Sequence, residues 1–308
     1  YVGVAAILLL VVFSLRARPT RFGLAVGALL LAGAVPELAE SKILVQERSF
    51  FGVYRVEEES AARSRLLFDG TTLHGAQSLD PSRRLEPTTY YTTTGPVGDV
   101  FESWTSRPPG ARIGVVGLGT GSLACHGARG ERWTFFEIDP VVERIARDPS
   151  LFTFLRDCPS EHHVVLGDGR LSLERAEPGS FDMLILDAFS SDAIPVHLLT
   201  REALALYRSK LAPDGLLLFH ISNRFLDLDA VLGSLAEDAG LASLARYDRT
   251  VTDADRQIRK VESDWVVMAR DPAALGGLRE NPDWYPLAAD RELWTDDYSD
   301  VFGVVSWG

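Results

Sequence analysis

Four short signals fall in a fixed order between Ile113 and Asp187, and they constrain the fold more than any other feature of this chain. They are the glycine turn Gly117-Leu118-Gly119-Thr120-Gly121, the acidic strand end Phe136-Glu137-Ile138-Asp139, the turn Gly167-Asp168-Gly169, and the run Met183-Leu184-Ile185-Leu186 closing on Asp187. Each stands where a β-strand of a doubly wound sheet should end, and ligands of such sheets bind beyond the carboxyl ends of the strands. The surrounding rhythm agrees. It predicts strands at 113–116, 133–137, 163–166, 181–186 and 216–221, with helices between them, notably 141–147 and 200–211. Alternation at this spacing implies an α/β chain with a parallel sheet covered on both faces. A helix at 228–239 and strands near 244–247 and 265–269 complete a seven-stranded sheet with an antiparallel end. Upstream, 50–57, 65–68 and 71–77 alternate in strand fashion around Asp69-Gly70, the pattern of a small antiparallel hairpin layer.

Gly117, Gly119 and Gly121 let the backbone turn sharply and approach a ligand, with the amides of the following helix facing it. Such a turn alone is weak, since many are only tight strand-helix connections. Glu137 strengthens it: about 20 residues on, at the next strand end, a carboxylate accepts both ribose hydroxyl protons. A dinucleotide site would share both clues, but Ser122 follows Gly121 directly and the third glycine of GxGxxG is missing from its place. Asp168 can reach the exocyclic amine of an adenine ring, or merely cap the helix beginning at Arg170. Its place at the third strand end favours the ligand role. Asp187 ends the most apolar strand, so its carboxylate would face the cleft partly desolvated and take a proton from an attacking amine.

A formal net charge of -12 argues against nucleic acid as a partner, since phosphate recognition needs a basic face. Ordinary solubility explains the acidity, and a cationic substrate would also suit it. The six histidines show no HExxH spacing, so no metal site is expected. Cys125 and Cys158 lack metal-ligand spacing and are too few for a disulfide framework, so both are expected as thiols in a reducing compartment.

The first forty residues differ in kind. Tyr1 to Leu15 is almost wholly apolar, Arg16 to Arg21 is a basic turn, and Phe22 to Val35 is apolar again. Each run is short of the roughly 20 residues that cross a bilayer. The chain starts without methionine, however, and the second run can extend through Ala39, so two membrane helices are expected. A signal peptide fits less well, because the basic residues follow the first apolar run. Two buried helices of a soluble domain are the alternative. The expected organisation is a membrane segment at 1–40, a β-hairpin domain and linker at 41–105, and a Rossmann-like catalytic domain at 106–308. Arg16, Arg18 and Arg21 on the cytoplasmic side would put that domain outside after a second span. A nucleoside cosubstrate is available inside, so the sequence leaves the topology open.

Together these residues resemble the spermidine synthase (polyamine aminopropyltransferase) family, and more closely its bacterial membrane-fused branch. The resemblance runs from about residue 41 to 307. It includes Arg48-Ser49-Phe50-Phe51-Gly52-Val53-Tyr54-Arg55-Val56, Leu67-Phe68-Asp69-Gly70, His74-Gly75-Ala76-Gln77 and Tyr90-Tyr91. It continues through the four signals, His220-Ile221-Ser222-Asn223-Arg224, and Trp294-Thr295-Asp296-Asp297-Tyr298. The resemblance implies a β-hairpin domain followed by a Rossmann-like, methyltransferase-type core, assembled as a homodimer or larger oligomer. For the membrane-fused branch it implies an inner-membrane protein with a cytoplasmic catalytic domain. It further implies decarboxylated S-adenosylmethionine (or S-adenosylmethionine) as cosubstrate, a polyamine or other amine as acceptor, and no metal. Gly117, Gly119, Thr120, Gly121, Glu137, Asp168, Gly169, Gln46 and Gln77 would hold the nucleoside. Tyr90, Tyr91 and Asp192 would hold the amine, and Asp187 would deprotonate it.

The chain also departs from the family. Thr120 stands where the family's turn carries an aspartate that meets the aminopropyl ammonium, and Tyr91 and Thr92 replace histidine and glutamate. The acidic pair after the fourth strand is stretched to Asp187 and Asp192. Two lost carboxylates weaken the case for a dicationic acceptor, because each buried ammonium needs a partner; Asp192, Asp296 and Asp297 are candidates to compensate. Two rival readings follow: an S-adenosylmethionine-dependent methyltransferase on an unknown acceptor, and a non-catalytic nucleoside-sensing domain of a membrane protein. His220 and Asn223 border the cleft at the fifth strand end. Trp294 and Tyr298 either close over the site or seal the core.

Overall fold

The structure, a computed structural model, describes residues 12–104, 107–188, 195–223 and 226–305. After helix α1 (Pro19–Glu40), strands β1 (Ser41–Arg48), β2 (Val53–Glu59), β3 (Ser64–Asp69) and β4 (Thr72–Ser78) form an antiparallel sheet in sequence order. The hairpin pattern is thus realised with one further strand, β1. Alternation puts Tyr54 and Val56 of β2 into the core, and Leu67 of β3 joins them. A register shift between Leu67 and Phe68 precedes the Asp69-Gly70 turn, where Gly70 adopts φ +57°.

Helix α2 (Pro96–Ser103) leads into strands β5 (Arg112–Val116), β6 (Arg132–Glu137), β7 (Glu161–Leu166), β8 (Phe181–Leu186) and β9 (Leu211–His220). Strands β10 (Ala242–Asp248), β11 (Ser263–Ala269) and β12 (Tyr285–Pro286) complete one sheet of order β12-β10-β11-β9-β8-β5-β6-β7. The pairs among β5 to β9 are parallel, and β11 joins β9 antiparallel. Seven long strands and a two-residue edge therefore make the mixed Rossmann-like α/β sheet. Its two faces bury separate clusters. Met183 and Ile185 of β8 point into one, with Trp133 and Phe135; Leu184 and Leu186 point into the other, with Leu217 and Phe219. That explains why these strands read as unbroken apolar runs.

Helices α3 (Pro140–Arg147), α4 (Phe154–Asp157), α5 (Gly169–Glu174), α6 (Arg201–Lys210) and α7 (Leu228–Asp238) fill the connections. Helix α6 stops one residue early. Leu211 already pairs with Phe181 ahead of a bulge, and Pro213 cannot continue a helix.

Two expectations are corrected here. No helix among the described residues is long and apolar enough to cross a membrane. The apolar run Phe22 to Val35 gives only about 21 Å of helix against a hydrocarbon core of about 30 Å. This overturns the membrane helices and the inner-membrane localisation drawn from them; most of the first apolar run lies outside the described residues. The two cysteines, expected as thiols, form a disulfide. A 3-10 helix at Ser122–His126 and the end of α4 bring their Cα atoms to 4.9 Å, within bridging range.

Candidate functional site

The carboxyl ends of β5, β6 and β8 are tied together beyond the regular ladder. Gly117 N donates to Phe136 O at 2.8 Å, Asp187 N to Val116 O at 2.9 Å, and Gly167 N to Glu137 O at 2.8 Å. A cavity of about 300 Å³ opens above them, within the range of small-molecule sites. Gly117, Leu118 and Gly119 form its floor with Val116 and Phe136, while Phe51, Tyr54, Leu67 and Asp69 cover it from the N-terminal sheet. Gly117 has φ +104°, and a Cβ there would stand 2.3 Å from Asp187 O, so only glycine fits where the two strand ends meet.

Glu137 is 7% exposed and lines the cavity. Its two oxygens accept from Leu118 N at 3.0 Å and Asp139 N at 2.8 Å. Burial pushes its pKa up to about 7, against the pull of those amides. Asp168 also lines the cavity and caps α5 by accepting from Leu171 N at 2.9 Å. His197 Nε2 lies 3.6 Å from its other oxygen. Asp187 is held on both oxygens, by the Tyr91 hydroxyl and by His220 Nδ1 at 2.6 Å. Tyr90 lines the same side, and burial, with the nearby Asp187 charge, raises its phenol pKa well above the usual value.

The remaining sequence-derived candidates sit elsewhere. Gly169 lines the cavity, but Thr120 and Gly121 do not. Thr120 is buried against β4, where a Cβ on Gly75 would stand 2.6 Å from Thr120 Oγ1. Gln77 is buried and spent on structure: it donates to Arg84 O and Thr153 Oγ1 and accepts from Thr153 N. Gln46 is exposed on β1, away from the lining. Asp192 and Arg224 lie outside the described residues. Asp296 forms a bidentate pair with Arg170, and Trp294 is buried in the core, so the C-terminal motif seals α5 and α6.

Sequence reasoning gave no role to Asp69, His74 or His197, all on the cavity wall. Asp69 and His74 stood inside quoted motifs, but only the folding of the N-terminal sheet over β5 brings them to the strand ends. Asp69 Oδ1 accepts from Val53 N at 2.9 Å. The wall thus carries four carboxylates, Asp69, Glu137, Asp168 and Asp187, and no lysine or arginine among the described residues. No cluster of three or more metal-ligating side chains occurs among them either.

No protein-family model matches the chain. A polyamine aminopropyltransferase from Vibrio vulnificus is 36% identical over 125 residues, 39% of this chain and 39% of that protein. An N-terminal histidine N-methyltransferase from Emericella nidulans is 33% identical over 116 residues, 35% of this chain and 19% of that protein. The chain thus spans less than half the length of these curated relatives. A probable spermidine synthase from Corynebacterium glutamicum superposes with a TM-score of 0.56 at 18% identity, over 74% of this chain and 80% of that one. Spermidine synthase from Thermotoga maritima gives 0.51 at 14% identity, covering 83% and 82%. A spermidine synthase in complex with the transition state analogue AdoDATO gives 0.52 at 14% identity, covering 83% of each chain. Likeness at these identities is likeness of fold. The comparisons thus give a local sequence match to an aminopropyltransferase and a fold shared with spermidine synthases, and nothing among them shows the membrane-fused branch.

Proposed function

We propose that this chain is a transferase that moves an aminopropyl group from decarboxylated S-adenosylmethionine to an amine and releases methylthioadenosine. The cavity wall carries the reading: four carboxylates and no lysine or arginine among the described residues, at the carboxyl ends of the parallel strands. Carboxylates gathered in a partly desolvated cleft favour a cationic ligand even with Glu137 holding its proton up to about pH 7, and a sulfonium nucleoside and a protonated alkylamine are both cations. The spermidine synthase-like neighbours support the same direction.

In this reading Glu137 accepts the ribose hydroxyl protons and Asp168 meets the adenine amine. The backbone of Gly117 and Gly119 lets the nucleoside lie close to the strand ends. Tyr90 and Tyr91 face the amine, and Asp187 is the base. Asp187 takes a proton from the bound ammonium, which frees the nitrogen lone pair. That nitrogen forms a bond to the carbon beside the sulfonium as the carbon-sulfur bond breaks with its electron pair going to sulfur. Sulfonium is already a good leaving group, so alignment of the two substrates supplies most of the acceleration.

Methyl transfer from S-adenosylmethionine is a second reading, favoured by one observation. Thr120 is buried against Gly75 and off the cavity wall, so the fourth residue of the turn offers no carboxylate to an aminopropyl ammonium. Calorimetry separates the two. The proposal expects tighter binding of the decarboxylated cosubstrate, and preference for the carboxylated form would sink it.

A further inference from the structure

Asp187 reaches the cavity with both carboxylate oxygens partnered, and the partners differ in where they stand. The Tyr91 hydroxyl meets Oδ2 from the cavity wall. His220 Nδ1 meets Oδ1 at 2.6 Å from behind; the ring is 3% exposed and is no part of the wall. We infer that His220 is the positioning residue of this site: it locks Oδ1 and so reserves Oδ2 as the oxygen that takes the acceptor's proton. This rests on the transfer reading above for its kinetics, though not for its geometry.

The imidazole is fixed on every side. Trp265 stacks on it at 4.6 Å and 13°, and Tyr90 lies 4.4 Å away on a tilt of 34°. Its Nε2 lies 2.7 Å from Ser222 Oγ, and that oxygen accepts from Asp264 N at 2.8 Å. Ser222 Oγ keeps its own proton after accepting from Asp264 N, and that proton is assigned to Nε2. Nε2 is then the acceptor, and Nδ1 carries the hydrogen that points at Asp187. An ionised carboxylate demands the same tautomer, because it can only accept. The backbone of β11 therefore sets the imidazole through Ser222, and the imidazole sets the carboxylate.

The division of labour between the oxygens follows. Oδ1 is spent on a donor that touches no substrate. Oδ2 keeps one lone pair after accepting from Tyr91, a residue that lines the cavity. During transfer the nitrogen-hydrogen bond of the acceptor breaks and an oxygen-hydrogen bond forms at Oδ2. A histidine that only filled space between two aromatic rings would tolerate any neutral replacement of similar size, whereas a positioning donor would not. Asparagine places its amide nitrogen where Nδ1 stands; glutamine reaches towards Nε2 instead.

The test has two arms. Proton-nitrogen correlation spectra of the wild-type protein need no substrate and report the tautomer. The protonated nitrogen should be Nδ1, and protonation at Nε2 overturns the assignment. In the kinetic arm, His220→Ala and His220→Gln should lower kcat roughly 10- to 100-fold, the worth of one hydrogen bond to a charged group, with methylthioadenosine affinity within about twofold. His220→Asn should recover most of the lost kcat. Equal kcat for the Asn and Gln variants, or a loss confined to nucleoside affinity, also overturns it. Methylthioadenosine binding certifies that each variant is folded. A wild-type protein that makes no methylthioadenosine would refute the transfer reading instead, and the spectra would still decide the tautomer.

Discussion

The substitution Glu137→Gln should change how the ligand-free protein responds to pH. Glu137 is buried, and desolvation lifts its pKa from an ordinary 4.5 to about 7. Between these values the folded chain holds a proton that the unfolded chain has released. Its contribution is therefore fully present below pH 4.5 and is lost as the pH rises through 7. At about 1.36 kcal/mol per pH unit, the whole swing is roughly 3 kcal/mol, of which about 2.5 kcal/mol falls between pH 5 and 8. His126 works in the opposite sense. Burial lowers its pKa to about 3, so its contribution is present above pH 6.5 and is lost as the pH falls. Wild-type stability alone mixes these with other shifted groups, among them Asp227 raised to about 6, but such groups cancel in the difference between wild type and variant. Glutamine also gives up one of the two accepted amide bonds, at a cost of about 1–3 kcal/mol that does not depend on pH. Urea unfolding of both proteins at several pH values measures the difference. The stability of wild type minus variant should fall by about 2.5 kcal/mol from pH 5 to pH 8. Parallel profiles, agreeing within about 0.5 kcal/mol throughout, would refute the assignment of a buried, proton-holding Glu137.

Other perturbations test separate parts of the account. Asp187→Asn should abolish turnover and leave methylthioadenosine binding within about threefold, since the amide keeps the shape but cannot take a proton; retained turnover would remove Asp187 as the base. Gly117→Ala should cost at least about 2 kcal/mol in chemical unfolding, because the added methyl meets Asp187 O at 2.3 Å from a left-handed backbone. Reducing the Cys125–Cys158 bridge, which closes a 33-residue separation, should cost about 3–4 kcal/mol if chain entropy dominates; an unchanged melting temperature under reductant would contradict that. Gln77→Ala should lower stability by about 1–3 kcal/mol through its lost bonds to Thr153 and Arg84, with little effect on nucleoside affinity. A large affinity loss at full stability would return Gln77 to the ligand site.

What was legible in the sequence follows from local chemistry. The turn at Gly117, the acid at Glu137, and the runs ending at Asp168 and Asp187 are written within single strand-turn units, and the strand ends stand together as their order implies. Asp69 and His74 were legible only as motif members, because reaching β5 depends on how a second sheet docks. Thr120 lies inside the turn, yet its side chain packs on Gly75, a contact set by residues about forty positions away. His220 was visible at a strand end, but its bond to Asp187 depends on β9 lying beside β8 and on Trp265 behind it. The cysteine pair defeated a counting argument. Two thiols in one chain say little until a short 3-10 helix and α4 place them side by side.

The most direct test of the central claim is product analysis. The purified protein would be incubated with decarboxylated S-adenosylmethionine and a panel of amines, and in parallel with S-adenosylmethionine. The account predicts methylthioadenosine, appearing only with the decarboxylated cosubstrate and lost in Asp187→Asn. S-adenosylhomocysteine from the carboxylated cosubstrate, with no methylthioadenosine in the other arm, would contradict it.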